Sequence, residues 1–239
     1  MRNLFFFLLA LLLFQSFTTA QSWWDSGMNG EGARVERTLD LPEFWGITNT
    51  MKADVYLTQG ATQSVTVQGQ ANIVDQLVLE VENGIWKIKP QNRLRRYDKL
   101  TINITVPKMT YVAVSGSGDI YTSNAFRHDG AVTVTASGAG NIQFATTASD
   151  VDVRISGSSD IRLEGSASSI NARISGSGDL MAADFVVAEC EIRVSGSGDV
   201  EIHANNRLDA RVSGSGDVSY RGQPKVYSRV SGSGNVSAM

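Results

Sequence analysis

The sequence predicts an all-β solenoid of stacked rungs, and three observations carry that expectation. The motif Val114-Ser115-Gly116-Ser117-Gly118-Asp119-Ile120 returns six more times, with its acid or amide at Asp119, Asn141, Asp160, Asp179, Asp199, Asp217 and Asn235. The steps between these residues are 22, 19, 19, 20, 18 and 18, the period of a repeat in which each unit is one turn of a coil. Apolar residues step by two on both sides of the motif, as in Val151, Val153 and Ile155 before it and Ile161 and Leu163 after it. Period two marks strands with one buried face.

Residues 1–20 read as an export signal. Arg2 gives a positive start, Leu4 to Phe14 is an apolar run of eleven, and Thr18-Thr19-Ala20 offers small residues before a cleavage at Gln21. The run is too short to span a bilayer, and no later stretch is apolar enough to do so. The expectation is an exported chain, in the periplasm, at the cell surface or secreted, with no transmembrane segment once processed. Residues 21–32 read as a flexible leader, with Trp23 and Trp24 tucked against the first strands.

Residues 33–110 are rich in strands but carry no clean repeat. Val55-Tyr56-Leu57 and Val65-Thr66-Val67 flank a turn at Gly60. Leu77, Leu79 and Val81 alternate with polar residues, and Asn83-Gly84 joins them to Ile85-Trp86-Lys87-Ile88. Asn-Gly between alternating strands is a strong hairpin signal. Arg93 to Lys99 is a basic run expected in a solvated loop. Leu100, Ile102, Ile104 and Val106 then alternate along a strand that Pro107 ends.

Residues 111–239 form the repeat. The inward series before each turn runs Val112 and Val114; Val132, Val134 and Ala136; Ile170, Ala172 and Ile174; Cys190, Ile192 and Val194; Leu208, Ala210 and Val212; Val226, Ser228 and Val230. The Ser-Gly bend keeps its length, while the connection to the next rung varies. One rung cannot bury enough apolar surface to stand alone, so the rungs stand or fall as an array.

Stacking at about 4.8 Å lines equivalent residues up in columns. The Asp/Asn column does not have the Gly-x-Gly-x-Asp spacing of a calcium-binding β-roll, and Asn lacks the charge that calcium favours. What Asp and Asn share is a side-chain oxygen that accepts a backbone N–H in a tight turn, so a structural turn column is expected. Arg154, Arg173, Arg193, Arg211 and Arg229 each lie six residues before their Asp or Asn and next to an inward aliphatic. They are expected to point outward and to flank and neutralise the acids across the bend, or simply to be solvated. Glycine in the bend is expected to supply positive φ.

The formal net charge of −3 argues against a nucleic-acid partner. The single Cys190 excludes an internal disulfide and reads as a small core residue. His128 and His203 are expected in connecting loops, and no HExxH or GxSxG motif occurs. No catalytic residue, metal ligand or cofactor is assigned.

The VSGSGD turns, together with Phe44-Trp45-Gly46-Ile47 and Asp54-Val55-Tyr56-Leu57-Thr58-Gln59-Gly60, resemble the putative auto-transporter adhesin head (GIN) domain family of exported bacterial proteins, from about Arg37 to Ser231. The resemblance implies a right-handed, single-stranded parallel β-helix and a role in adhesion. Three residues follow Val236, so a membrane-barrel translocator is not expected within this sequence. The expected function is a non-catalytic, adhesin-like module recognising a surface glycan or protein through a solenoid face or variable loops. A polysaccharide-active enzyme on the same scaffold is one alternative. A structural unit that self-assembles through the edge of its last rung, Val226 to Val236, is another.

Overall fold

The computed structural model describes residues 27–239. The expected export signal and most of the leader, with Trp23 and Trp24, lie outside the described residues. The end of the leader is tied down: the Met28 N–H donates to Arg93 O at 2.9 Å, and the Arg95 N–H donates to Met28 O at 2.9 Å. The basic run thus lends its backbone to the leader.

Eighteen strands among the described residues join into one coiled sheet, interrupted by a single helical turn. In order they begin with β1 (Arg34–Leu39), β2 (Gly46–Asn49), β3 (Ala53–Gln59), β4 (Ser64–Gln70), α1 (Ala71–Val74), β5 (Val81–Glu82), β6 (Ile85–Ile88), β7 (Leu100–Val106), β8 (Tyr111–Val114) and β9 (Ile120–Thr122). The parallel coil starts upstream of the repeat. β2 lies between β6 and β8, and β3 lies between β7 and β9, all parallel. The rung that comes second in the chain, β6–β7, is therefore stacked beneath the first, and the third is stacked above it.

Antiparallel strands close the lower edge. β4 pairs with β7, and β1 pairs with β4. β5 pairs with β6 through the expected hairpin, in which Asn83 and Gly84 take φ of 51° and 72°. Capping of this kind stops a parallel stack from growing. The Trp86 ring is buried there, and its indole N–H donates to Val78 O at 2.9 Å.

The coil continues through β10 (Phe126–Arg127), β11 (Ala131–Gly138), β12 (Ile142–Gly157), β13 (Ile161–Gly176), β14 (Leu180–Gly196), β15 (Val200–Gly214), β16 (Val218–Arg221), β17 (Lys225–Gly232) and β18 (Val236–Ala238). It has two walls. The first holds β3, β9, the first halves of β12 to β15, β16 and β18; the second holds β2, β8, β11, the second halves of β12 to β15, and β17. Register is parallel and nearly unbroken. Val194 stacks on Val212, and Val212 on Val230.

The alternating aliphatics fill the space between the walls, and those from Val112 to Val218 are buried. The last rung differs: Val230 is 40% exposed, and Ser228 is exposed. The variable connections differ from expectation in the middle rungs. There β12 to β15 run 15 to 17 residues without a break around the bend between the walls. Neighbouring rungs pair their backbones even there, and length differences are absorbed as shifts of register, as between Ala182 and Val186.

The two glycines of the turn serve different ends. From Gly138 onward the first takes positive φ, from 103° at Gly157 to 142° at Gly214. The second is needed for close approach: a Cβ on Gly198, Gly216 or Gly234 would lie 2.1 Å from the carbonyl oxygen one rung below. Sequence reading assigned positive φ to both.

Candidate functional site

The turn column forms a ladder between rungs. Asp119 Oδ1 accepts the backbone N–H of Asn141 at 2.9 Å, and Asn141 Oδ1 accepts that of Asp160 at 2.9 Å. Asp160, Asp179, Asp199 and Asp217 accept in turn from Asp179, Asp199, Asp217 and Asn235 at 2.8 or 2.9 Å. The expected acceptor served its own turn; these oxygens serve the next one. Only a carbonyl-type oxygen is used, which explains why Asn substitutes for Asp. The column also has an eighth member that the motif does not reveal, since register places Asp54 beneath Asp119. Lys99 Nζ lies 2.6 Å from Asp54 Oδ1 and 3.1 Å from Asp119 Oδ2. The hydrogen bond to Asp54 and then that to Asp119 push the ammonium up to about 12, against the opposing effect of burial.

The arginine column stands on the outer face of the second wall, outward as expected, with different partners. Arg154 Nη2 lies 3.1 Å from Asp152 Oδ1, and Arg173 Nη1 lies 3.4 Å from Asp152 Oδ2. Arg193 pairs with Glu191, and Arg211 reaches Glu191 at 3.9 Å and Asp209 at 3.5 Å. Among the described residues, no arginine of this column comes within 4.0 Å of a turn-column carboxylate, so the expected neutralisation across the bend is corrected. The cause is the pleat. Residues two apart share a face, so Arg154, Arg193 and Arg211 meet the acid two positions before them and Arg173 meets Asp152 of the rung below, while the turn acid lies beyond the bend.

The outer face of the second wall thus carries parallel columns. One holds Asp152, Asn171, Glu191, Asp209 and Tyr227, and the next holds the arginines. A shallow pocket of ≈ 310 Å³ opens on this face between Ser169, Asn171, Glu189, Glu191, Arg207 and Asp209. Asn171 Oδ1 is buried there without a hydrogen-bond partner. Sequence reading missed Arg207, Lys225 and Tyr227, although extending the outward alternation by two residues would have found them.

The other singled-out residues stay apart. His203 lies on β15, not in a loop, because the connection there is itself strand. His128 follows β10 and donates its backbone N–H to Thr147 O at 2.9 Å. Burial and then the nearby Lys108 hold its imidazole below the usual histidine range. Cys190 stacks between Ile170 and Leu208, and burial pushes its thiol up to about 12. Among the described residues, no three His, Cys, Asp or Glu side chains converge as a metal ion would require. No helix among them is long and apolar enough to cross a membrane.

Solved structures with the same fold come from Bacteroides and Parabacteroides species. A putative adhesin from Bacteroides fragilis superposes with a TM-score of 0.83 at 24% identity, covering 89% of this chain and 100% of that one. A putative lipid binding protein from Parabacteroides distasonis gives 0.71 at 22% identity, covering 89% and 99%. A putative adhesin from Parabacteroides merdae gives 0.64 at 19% identity, with the same coverage. No curated protein matches the chain. The parallel rungs, the SGSGD turns and the match of residues 43–224 place the chain in the family described as putative auto-transporter adhesin, head GIN domain.

Proposed function

We propose that the protein is an exported, non-catalytic, adhesin-like module that recognises a surface glycan or protein through the outer face of its solenoid. One observation carries this reading. In-register stacking repeats an outward arginine at each rung beside columns of varied polar, charged and aromatic side chains, and the result is a regularly spaced surface suited to an extended partner. The family description supports it, and an adhesive role requires a protein exported from the cytoplasm. A screen of the purified protein on arrayed glycans and extracellular proteins, run beside an assay for polysaccharide cleavage, tests it. Retention of a ligand without cleavage is the expected result. Release of reducing ends would make the protein an enzyme, and silence on every surface would remove the adhesive role.

Self-pairing is a second reading, favoured by the half-exposed Val226 and Val236 and the 40% exposed Val230 on the upper rung. The antiparallel cap covers the lower edge, so two copies meeting through β17 and β18 would close as a pair and not extend into a fibre. Light scattering at rising concentration should show a monomer–dimer equilibrium, and a clean monomer at high concentration rejects it.

A further inference from the structure

The charge on the outer face of the second wall is uneven. In β12 and β14 the two outward positions before the arginine hold Asp150 and Asp152, and Glu189 and Glu191. In β15 and β17 the same positions hold Arg207 and Asp209, and Lys225 and Tyr227. The last two rungs therefore present Arg207, Arg211, Lys225 and Arg229 against the single carboxylate of Asp209, four cations to one anion. Asp209 is shared, at 3.4 Å from Arg207 and 3.5 Å from Arg211. Lys225 and Arg229 have no carboxylate within 4.0 Å among the described residues.

Tyr227 stands in the middle of this group, 42% exposed. The Arg207 guanidinium lies 4.9 Å and the Lys225 ammonium 5.2 Å from its ring centroid. These contacts hold the ring and both cations in place before any ligand arrives, which lowers the entropy lost on binding. Register puts Arg207 beside Lys225 and Arg211 beside Arg229. Four residues separate the two basic pairs along the strand, about 13 Å, with the ring midway.

We propose that this patch binds a polysaccharide bearing carboxylate or sulfate groups. The inference rests on the glycan-binding reading above and names its ligand class. A sugar lies against the Tyr227 ring, and its anionic groups, or those of its neighbours, meet the basic pairs on either side. Arg and Tyr are the side chains that most often carry binding energy at interfaces. A uniformly dense polyanion suits the site less well. Glu189 and Glu191 lie one rung below, and the chain as a whole is net negative at −3, so closely spaced phosphates would be repelled beyond the patch.

Affinity electrophoresis of the purified protein in gels containing polygalacturonate, chondroitin sulfate or neutral dextran tests the proposal. Retardation is expected in the first two, fading as salt rises, and none in dextran. The double variant Arg211→Gln/Arg229→Gln should weaken retardation about tenfold. Tyr227→Ala should weaken it severalfold and Tyr227→Phe should not. Arg154→Gln/Arg173→Gln, on β12 and β13 where both guanidiniums are paired with Asp152, should leave it unchanged, and circular dichroism checks that each variant folds. Equal retardation of the Arg211/Arg229 double variant overturns the site. So does equal affinity for duplex DNA at the same salt, which would mean bulk charge alone. Binding of a neutral glycan or a protein on the array without retardation by either acidic polymer overturns this proposal and leaves the adhesin reading standing.

Discussion

Ser159 occupies the turn position where every other repeat has its second glycine. Its side chain is fully buried and its hydroxyl has no hydrogen-bond partner. The neighbouring rung contact is stretched: the Ser158 N–H reaches Gly138 O at 3.4 Å, against 2.9, 2.8 and 2.8 Å for the equivalent bonds of Ser177, Ser197 and Ser215. Ser159→Gly should therefore stabilise the protein by about 1 kcal/mol, since a buried unpaired hydroxyl carries a desolvation penalty of that order. The converse change, Gly178→Ala, puts a Cβ 2.0 Å from Ser159 O and should destabilise by about 1–3 kcal/mol. Urea midpoints measure both, and a neutral Gly178→Ala would mean that the rungs are not so closely apposed. The turn column makes a parallel prediction. Asp179→Ala leaves the Asp199 N–H without its acceptor and should cost about 1–2 kcal/mol, whereas Asp179→Asn keeps the oxygen and relieves repulsion from Asp160 and Asp199. Lys99 adds a pH dependence. Its pKa rises on folding from 10.5 to about 12, so its stabilisation is full below 10.5 and is lost as pH climbs through about 12. Lys99→Gln should remove that alkaline component of the urea midpoint, and about 1 kcal/mol at neutral pH, a modest figure because the side chain is 38% exposed. Identical alkaline profiles for both proteins would show that the ion pairs contribute nothing.

At the scale of the strand, the repeat was legible because each rung buries the same positions. Spacing of two named the inward residues, and spacing of 18 to 22 named the residues stacked above them. The first rung was hidden for a physical reason. Where later rungs carry an aliphatic such as Val114, it carries Asn49, fully buried, whose Nδ2 donates to Ala53 O at 2.9 Å and whose Oδ1 accepts the Met51 N–H at 3.1 Å. One side chain thus closes the bend that Ser and Gly close elsewhere, and nothing in the repeat grammar signals it. Asn49→Val would fill the column but leave two backbone groups unpaired, so it should destabilise by about 2 kcal/mol or more despite its greater hydrophobicity. The arginine pairing was legible in principle. Alternation places Arg193 and Glu191 on one face, and attention to the six-residue offset from the turn acid obscured it. The side chains of the proposed patch were harder to see, because Arg207, Lys225 and Tyr227 depart from the consensus of their columns. A repeat shows what its rungs share, whereas a binding site is built where they differ.

Across the whole molecule, the two ends of the coil are not equivalent, and its stability should be graded accordingly. The lower rungs are held on both sides: β7 has β3 above it and β4 below it, and β6 has β2 above it and β5 below it. The middle strands β12 to β15 are each paired over most of their length with two neighbours. β17 and β18 have one neighbour each among the described residues, and the would-be core residue Val230 remains 40% exposed. In a stack where each rung contacts only the next, opening from that end breaks one interface at a time, while opening the centre breaks two. Hydrogen exchange followed by mass spectrometry should therefore show fastest exchange in residues 225–238, intermediate rates in 200–214, and slowest rates in 142–196. Edge pairing between copies adds a concentration dependence: as dimer accumulates, protection of residues 225–238 should rise and that of the centre should not change. Uniform exchange along the coil at every concentration would mean that the solenoid opens as a single cooperative unit, and that its upper edge is neither frayed nor available to a second copy.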